Sequence, residues 1–431
     1  MKRISALLAV ILLSTAFAQA SLSRTKALGP VSKFLLDDAD LWPWPQLAWF
    51  YTRGVFIELG DEPQEVARRS SVLGTYSSAE KTLGVFGVSV NRVSPALYDF
   101  SGYINPGAAA GDTIPAANIV ELLQDRGLGA DLAPIPEPQA EFDLFFARNI
   151  GGANAGLRLE YASALSADEY TGSSNKARSS SFGVAVGFGY ELSQRLRIDG
   201  GIGLAALSFK SEHKIDLGGY SESLESDGGS RISLDGRLFY SLNDELSLVP
   251  VVSVSHASLG YRFSQGTQDA AAEPATGRTT TTVFGLGAGL QFRPSQRLLL
   301  VAGFEVDRRS DDVNDSLIAG SPGETAKTAS ATALPRLSLG MEAQLNKWLL
   351  VRCGASKERR IVAVTRDFTD GTAQKLEDQE QPYEFDAGFG IKAGGLGLDL
   401  TFNPELIYTG GKVISGSSTQ PVGKASVSYR F

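Results

Sequence analysis

The stretch "RLRIDGGIGLAALSF", residues 195–209, alternates with a period of two. Leu196, Ile198, Ile202, Leu204 and Ala206 fall on one face, and Arg195, Arg197, Asp199, Gly201 and Gly203 on the other. A period of two belongs to a β-strand whose two faces meet different surroundings. The pattern returns in "RISLDGRLFYSL" (231–242), "RLSLGMEAQL" (336–345) and "YEFDAGFGIK" (383–392).

Alternation alone also suits a soluble sandwich. Three further features separate the cases. The alternating runs reach about ten residues or more, the length that crosses a bilayer at a tilt, and their polar faces carry full charges at mid-strand. The connections are also unequal. Short ones fall at Gly151–Asn154, Ser193-Gln194, Asn243-Asp244, Pro294-Ser295, Asn346-Lys347 and Gly394-Gly395. Long polar ones fall at 61–70, 93–139, 165–179, 211–227, 264–277, 309–328, 362–380 and 409–421. Short turns on one side and long loops on the other predict an all-β fold: a transmembrane antiparallel β-barrel of about 14–16 strands, turns periplasmic and loops extracellular.

The opening "MKRISALLAVILLSTAFAQA" reads as a secretory signal peptide, residues 1–20, cut after Ala20. Residues 21–46 are then a periplasmic or plug segment, and 47–431 the barrel, its first strand at about Leu47–Gly60. One cysteine, Cys353, leaves no disulfide framework, and two histidines, His213 and His256, leave no His/Cys metal cluster. A net charge of −8 disfavours nucleic acid as a partner. The 47 glycines and only two methionines lean away from a helical core.

The chain ends in "GKASVSYRF", with Val427, Tyr429 and Phe431 on one face. A last strand ending in Phe, with an aromatic two residues earlier, resembles the C-terminal signature of bacterial outer-membrane barrels. That resemblance implies localisation in the outer membrane of a diderm bacterium, outer-membrane lipids around the wall, and the barrel-assembly machinery as a partner during insertion. Near the other end, Asp37, Asp38 and Asp40 precede Trp42, Pro43, Trp44 and Pro45. The segment resembles the N-terminal region of fatty-acid-transporter-like barrels, with "WPWPQLA" standing where that group has Asn-Pro-Ala. The resemblance implies a lumenal plug. The residues themselves point first to a girdle of Trp42, Trp44 and Trp49 at the periplasmic interface.

Lumen-facing candidates are Arg195, Arg197, Asp199, Arg231, Asp235, Arg237, Glu305, Arg336, Glu342, Arg352, Glu384 and Asp386, together with Arg158, Glu160, Asp307, Arg360 and Asp399. Such interleaved charge either orients polar solutes in an open lumen or neutralises itself in ion pairs that brace the wall. The 93–139 loop holds a helix-like "AANIVELLQDRG", which packs either into the pore or over its mouth. Gly-rich runs such as "GLGAGL" sit inside strands with no following helix, so they predict no nucleotide site; the glycines relieve crowding in a curved wall.

An enzyme needs an assembled nucleophile and base, for which two histidines offer little; Asp311, Asp312 and Asp315 read as a solvated acidic loop. The reading is therefore a non-enzymatic barrel, without cofactor or metal, that passes small solutes, some of them hydrophobic. A structural or adhesion barrel with a closed lumen is the alternative.

Overall fold

A computed structural model describes residues 22–59, 71–77, 81, 83–93, 103–104, 113–114, 129, 131–136, 138–215, 219–267, 270–271, 275–314, 324–368, 371–402 and 422–431. The expected signal peptide, the helix-like stretch of the 93–139 loop and Asp315 lie outside these residues.

The wall begins with β1 (Gly54–Leu59), β2 (Ser71–Ser77), β3 (Val85–Val93), β4 (Gln139–Ile150) and β5 (Ala153–Tyr170). It continues through β6 (Ser173–Ser193), β7 (Leu196–Ile215), β8 (Tyr220–Ser241), β9 (Leu246–Thr267), β10 (Ala275–Ser295) and β11 (Leu298–Asn314). The last strands are β12 (Glu324–Gln344), β13 (Leu349–Phe368), β14 (Ala373–Glu380 with Tyr383–Ala393), β15 (Leu396–Phe402) and β16 (Val422–Arg430). The two pieces of β14 count as one strand because both pair with β13. Each strand is antiparallel to the next, and β16 returns to β1 with Gly54 opposite Arg430 and Leu59 opposite Ala425. The result is a closed barrel of sixteen strands. Closure leaves no unpaired strand edge, which a hydrocarbon environment requires. No described helix is long and apolar enough to cross a membrane; the strands do that.

The alternation sorts side chains as the chemistry demands. Ile202 and Leu204 point outward at 50% and 54% exposure, while Asp199 points inward at 1%. Apolar groups exposed on the outside and charges buried on the inside invert the soluble pattern, because lipid covers the outside. The short turns are built from side-chain acceptors. Asn243 Oδ1 accepts from the amides of Glu245 (2.9 Å) and Leu246 (2.8 Å), and Asn346 Oδ1 does the same for Trp348 and Leu349, both at 2.9 Å. Such side-chain caps satisfy turn amides that the ladder leaves unpaired.

Two expectations need correction. Most of the polar stretches expected as loops at 165–179, 211–227, 264–277, 309–328 and 362–380 are strand. Pairing runs from Ser163↔Ser180 up to Tyr170↔Ser173, for example. Above the lipid both faces of the wall meet water, so the strands lose their apolar face while keeping their ladder. The first strand also starts at Gly54, not Leu47, because Pro45–Phe50 is a 3-10 turn that belongs to an inner segment.

That inner segment comprises α1 (Leu22–Leu28) and 3-10 turns at Gly29–Phe34, Asp38–Leu41 and Pro45–Phe50. It lies within the barrel and runs round the wall as a belt. α1 touches β12 to β16, the first turn touches β9 to β14, and the last turn touches β3 to β6. Leu28, Val31, Phe34 and Leu35 pack with Val249, Leu299 and Val301 of the wall. Leu41, Trp44, Leu47, Ala48 and Tyr51 pack with Phe56, Leu73, Phe145 and Ala147. Each large apolar side chain so buried contributes about 1.5–3 kcal/mol.

The wall glycines explain how the belt fits. A Cβ at Gly156 would stand 2.0 Å from the amide nitrogen of Gln46, and one at Gly354 would stand 2.1 Å from the carbonyl oxygen of Leu28. Gly289 and Gly303 face the ring of Phe34, each Cβ position 2.3 Å from it. Relief of wall curvature is therefore not the reason for these glycines: they leave room for the belt.

Candidate functional site: the lumenal closure

The belt brings charges to a lumen already lined with them. On one side of the barrel Arg352 of β13 donates to Asp399 of β15 (2.5 Å) and to Glu342 of β12 (2.6 Å). Arg24 of the belt donates to the same Glu342 at 2.8 Å and to Asp37 at 2.7 Å. The Asp37 amide donates to Asp40 Oδ2 at 3.2 Å. Asp40 accepts from Arg237 of β8 at 2.8 Å, and Arg237 reaches Asp199 of β7 at 3.3 Å. Arg197 completes the row by donating to Asp199 at 2.9 Å. A continuous chain of charged groups, alternating in sign except where the Asp37 amide meets Asp40, thus joins β15 to β7 through the belt.

Most of its members are sealed from water: Arg24 is 3% exposed, Asp37 and Glu342 1%, Arg352 1% and Arg237 3%. Buried charges of this kind hold only as paired sets, since each lone ion would carry a desolvation cost of several kcal/mol. The guanidinium of Arg237 also stacks over Trp44, 3.6 Å from the ring centroid, and donates to the Leu35 carbonyl at 2.7 Å. Burial pushes the Asp40 carboxyl up to about 6; Arg237 opposes the shift and the neighbouring Asp37 charge supports it.

The expected lumenal residues divide as follows. Arg197, Asp199, Arg237, Glu342 and Arg352 join the chain, as does Asp399. Glu305 meets Lys33 of the belt, and Asp386 lies 4.0 Å from Lys26. Arg336 bridges Glu358 at 2.5 Å and Asp307 at 3.3 Å, with Arg360 on Glu358 at 2.5 Å. Arg158 donates to Asp143 at 2.9 Å and also meets Glu160. Arg231 and Asp235 are half-buried on the inward face of β8. Glu384 shares the inward row with Asp386 but stays exposed. Arg195 is a correction: it sits exposed in the turn between β6 and β7, outside the lumen, because the hairpin turns one residue later than its alternation implied.

The tryptophans are a second correction. Trp42 donates from Nε1 to Asp143 at 3.1 Å and stands edge-on to Phe145, and Trp44 is buried under Arg237. Both lie in the lumen, so the interfacial girdle does not describe them; the inward charges they bond hold them there. Asp37 and Asp40 are in the chain just described, and Asp38 lies in the turn Asp38–Leu41. Tyr429 and Phe431 are exposed on the outer wall with their rings stacked, centroids 6.1 Å apart.

Arg24, Lys33, Gln46, Asp143 and Glu358 were not singled out by the sequence. Arg24 and Lys33 fall before the first alternating run, where no period marks which side chain faces what. The Gln46 amide donates to the Phe188 carbonyl at 3.0 Å.

Higher in the barrel a second inner segment, residues 131–136, crosses the wall. Its Ala133 carbonyl accepts from Ser211 at 2.7 Å, its Pro136 carbonyl accepts from Ser179, and Leu132 and Ile135 are buried. This part of the 93–139 loop therefore lies inside the lumen.

The family model for the autotransporter β-domain matches residues 143–356, from β4 into β13. With a closed wall whose outer face is apolar and whose inner face is charged, the chain is an outer-membrane β-barrel of a Gram-negative bacterium. No curated protein sequence matches it. Among solved structures it is similar to the toluene transporter TodX from Pseudomonas putida, at 11% identity and TM-score 0.37, covering 95% of this chain and 96% of that one. It is also similar to the translocator domain of the autotransporter NalP from Neisseria meningitidis, at 15% identity and TM-score 0.30, covering 66% and 90%. A third is the ferric yersiniabactin uptake receptor FyuA from Yersinia pestis, at 8% identity and TM-score 0.39, covering 88% and 80%. Likenesses this loose bear on no functional question.

Proposed function

We propose that the barrel is a gated conduit for small solutes and that the belt, residues 22–50, is its closure. The observation that carries this reading is the charge chain from Asp399 to Arg197, which uses Arg24, Asp37 and Asp40 of the belt to span the lumen. A wall built only to be rigid would pair its charges strand to strand. Here wall charges pair with a segment that joins the first strand through Tyr51–Arg53, so that releasing this one segment opens the lumen.

The test is planar-bilayer conductance of the mature chain with and without residues 21–50. Steady open steps only after removal support a gated conduit. Equally steady open steps with and without the belt mean that it closes nothing. Silence in both, from protein with heat-modifiable gel migration, supports the competing reading, a closed structural barrel acting through its outer loops. That reading draws on the fact that every charge in the buried chain has an opposite charge beside it.

A further inference from the structure

We infer that the extracellular half of the lumen holds a binding site for a small apolar molecule bearing one hydrogen-bonding group, and that Leu132 and Ile135 occupy this site as a built-in competitor. The inference rests on the conduit reading for its purpose, but not for its geometry.

The inward faces of β6 to β9 change character above the charged belt level. Leu207 and Phe209 of β7, Leu224 of β8, and Leu259, Tyr261 and Phe263 of β9 are all inward and at most 3% exposed. Register sets Leu224 opposite Phe263 and interleaves the others with inward serines: Ser181↔Leu207, Ser179↔Phe209 and Ser211↔Leu224. An apolar patch interleaved with serines is not needed to hold the wall together, since the ladder and the lipid already do that. It favours an apolar occupant by the area it removes from water.

The present occupant is the segment Asp131–Pro136. Ser211 and Ser179 pin its carbonyls at the level of Phe209 and Leu224, and Gly129 lies against Phe263. Leu132 and Ile135 are 2% and 3% exposed there. The fit is apolar but leaves polar groups unserved. Tyr261 Oη, Ser181 Oγ and Glu222 Oε2 are buried without a hydrogen-bond partner among the described residues, while His213 Nε2 lies 3.8 Å from the Asp131 carboxylate of the segment. All four side chains face inward and are at least nine-tenths buried. A buried hydroxyl or carboxylate oxygen left without a partner costs about 1–3 kcal/mol. Two leucine-type side chains cannot supply that bond, whereas a ligand with a hydroxyl on an apolar body can.

A site already filled shows an apparent affinity reduced by the fraction of time it is free. Weakening the competitor therefore tightens ligand binding without touching the ligand's own contacts. The probe is 1-naphthol, titrated by its fluorescence into detergent-solubilised full chain, with empty micelles subtracted for partitioning; naphthalene, which lacks the hydroxyl, is the comparison. Leu132→Ser with Ile135→Ser is expected to bind 1-naphthol about tenfold more tightly than the wild type. In that background Tyr261→Phe is expected to abolish the preference for 1-naphthol over naphthalene, and Phe209→Ala to weaken both. Heat-modifiable migration checks each variant's fold. Unchanged affinity in the folded double variant overturns the competitor, and tight binding that survives Phe209→Ala overturns the site. Binding as expected from a barrel that never conducts leaves the site standing and removes the conduit.

Discussion

The guanidinium of Arg237 lies 3.6 Å over the ring of Trp44 while donating to Asp40 and Asp199 at 2.8 and 3.3 Å. One wall side chain thereby holds an aromatic and a carboxylate of the belt to an acid of the neighbouring strand. Losing it takes the paired cation from the buried Asp40 and leaves Asp199 with Arg197 alone. Arg237→Ala is expected to loosen the belt by about 3–5 kcal/mol, the usual cost of breaking a buried pair from one side. Protease digestion of the protein in liposomes, read by loss of the N-terminal segment with the wall intact, measures this directly.

The wall glycines make a second, steric prediction. Gly354→Ala puts a methyl 2.1 Å from the Leu28 carbonyl oxygen, a backbone atom that must move. The belt is expected to leave its groove and conductance to become continuous, with the barrel still heat-modifiable. Gly74→Ala, where a Cβ meets nothing within 4 Å, is the control and should change neither.

Protonation supplies a third. Asp40 in the docked belt titrates near 6, against an ordinary 3.8 once released. The docked state therefore binds the extra proton between these two values. Docking is strongest below about 3.8 and weakens as pH rises through about 6. Open probability in the bilayer should accordingly increase from pH 4 to pH 7, and Asp40→Asn should flatten that dependence.

The C-terminus supports a fourth. Phe431 is 62% exposed on the outer wall, so truncating it removes little packing from the finished barrel. Phe431→Ser is expected to lower the yield of assembled protein in cells several-fold while leaving the thermal stability of what does assemble within about 0.5 kcal/mol of the wild type. Membrane fractionation and heat-modifiability separate the two effects.

Much of the wall was legible because each strand at lipid level has one face in hydrocarbon and one in a charged interior, and a period of two records that contrast. The reading failed where the contrast vanishes. Tyr170 and Ser173 pair in a regular ladder, yet both faces there are wet, so strand looked like loop. Arg195 carried the alternation one residue past the end of its strand. The belt was harder still, since "WPWP" breaks any period and its tryptophans suit a membrane interface as well as a lumen. Only inward partners distant in sequence, Asp143 for Trp42 and Arg237 for Trp44, decide between those two places.

The most direct test of closure by the belt is to lock it. The Val31 Cβ lies 3.5 Å from the Cβ position of Gly340, within disulfide range. In a Val31→Cys, Gly340→Cys chain, with Cys353→Ser removing the native thiol, single-channel conductance is recorded before and after reduction. The account predicts silence at every applied voltage while the bond is oxidised and voltage-dependent openings after reduction. Identical conductance in the two states would contradict it.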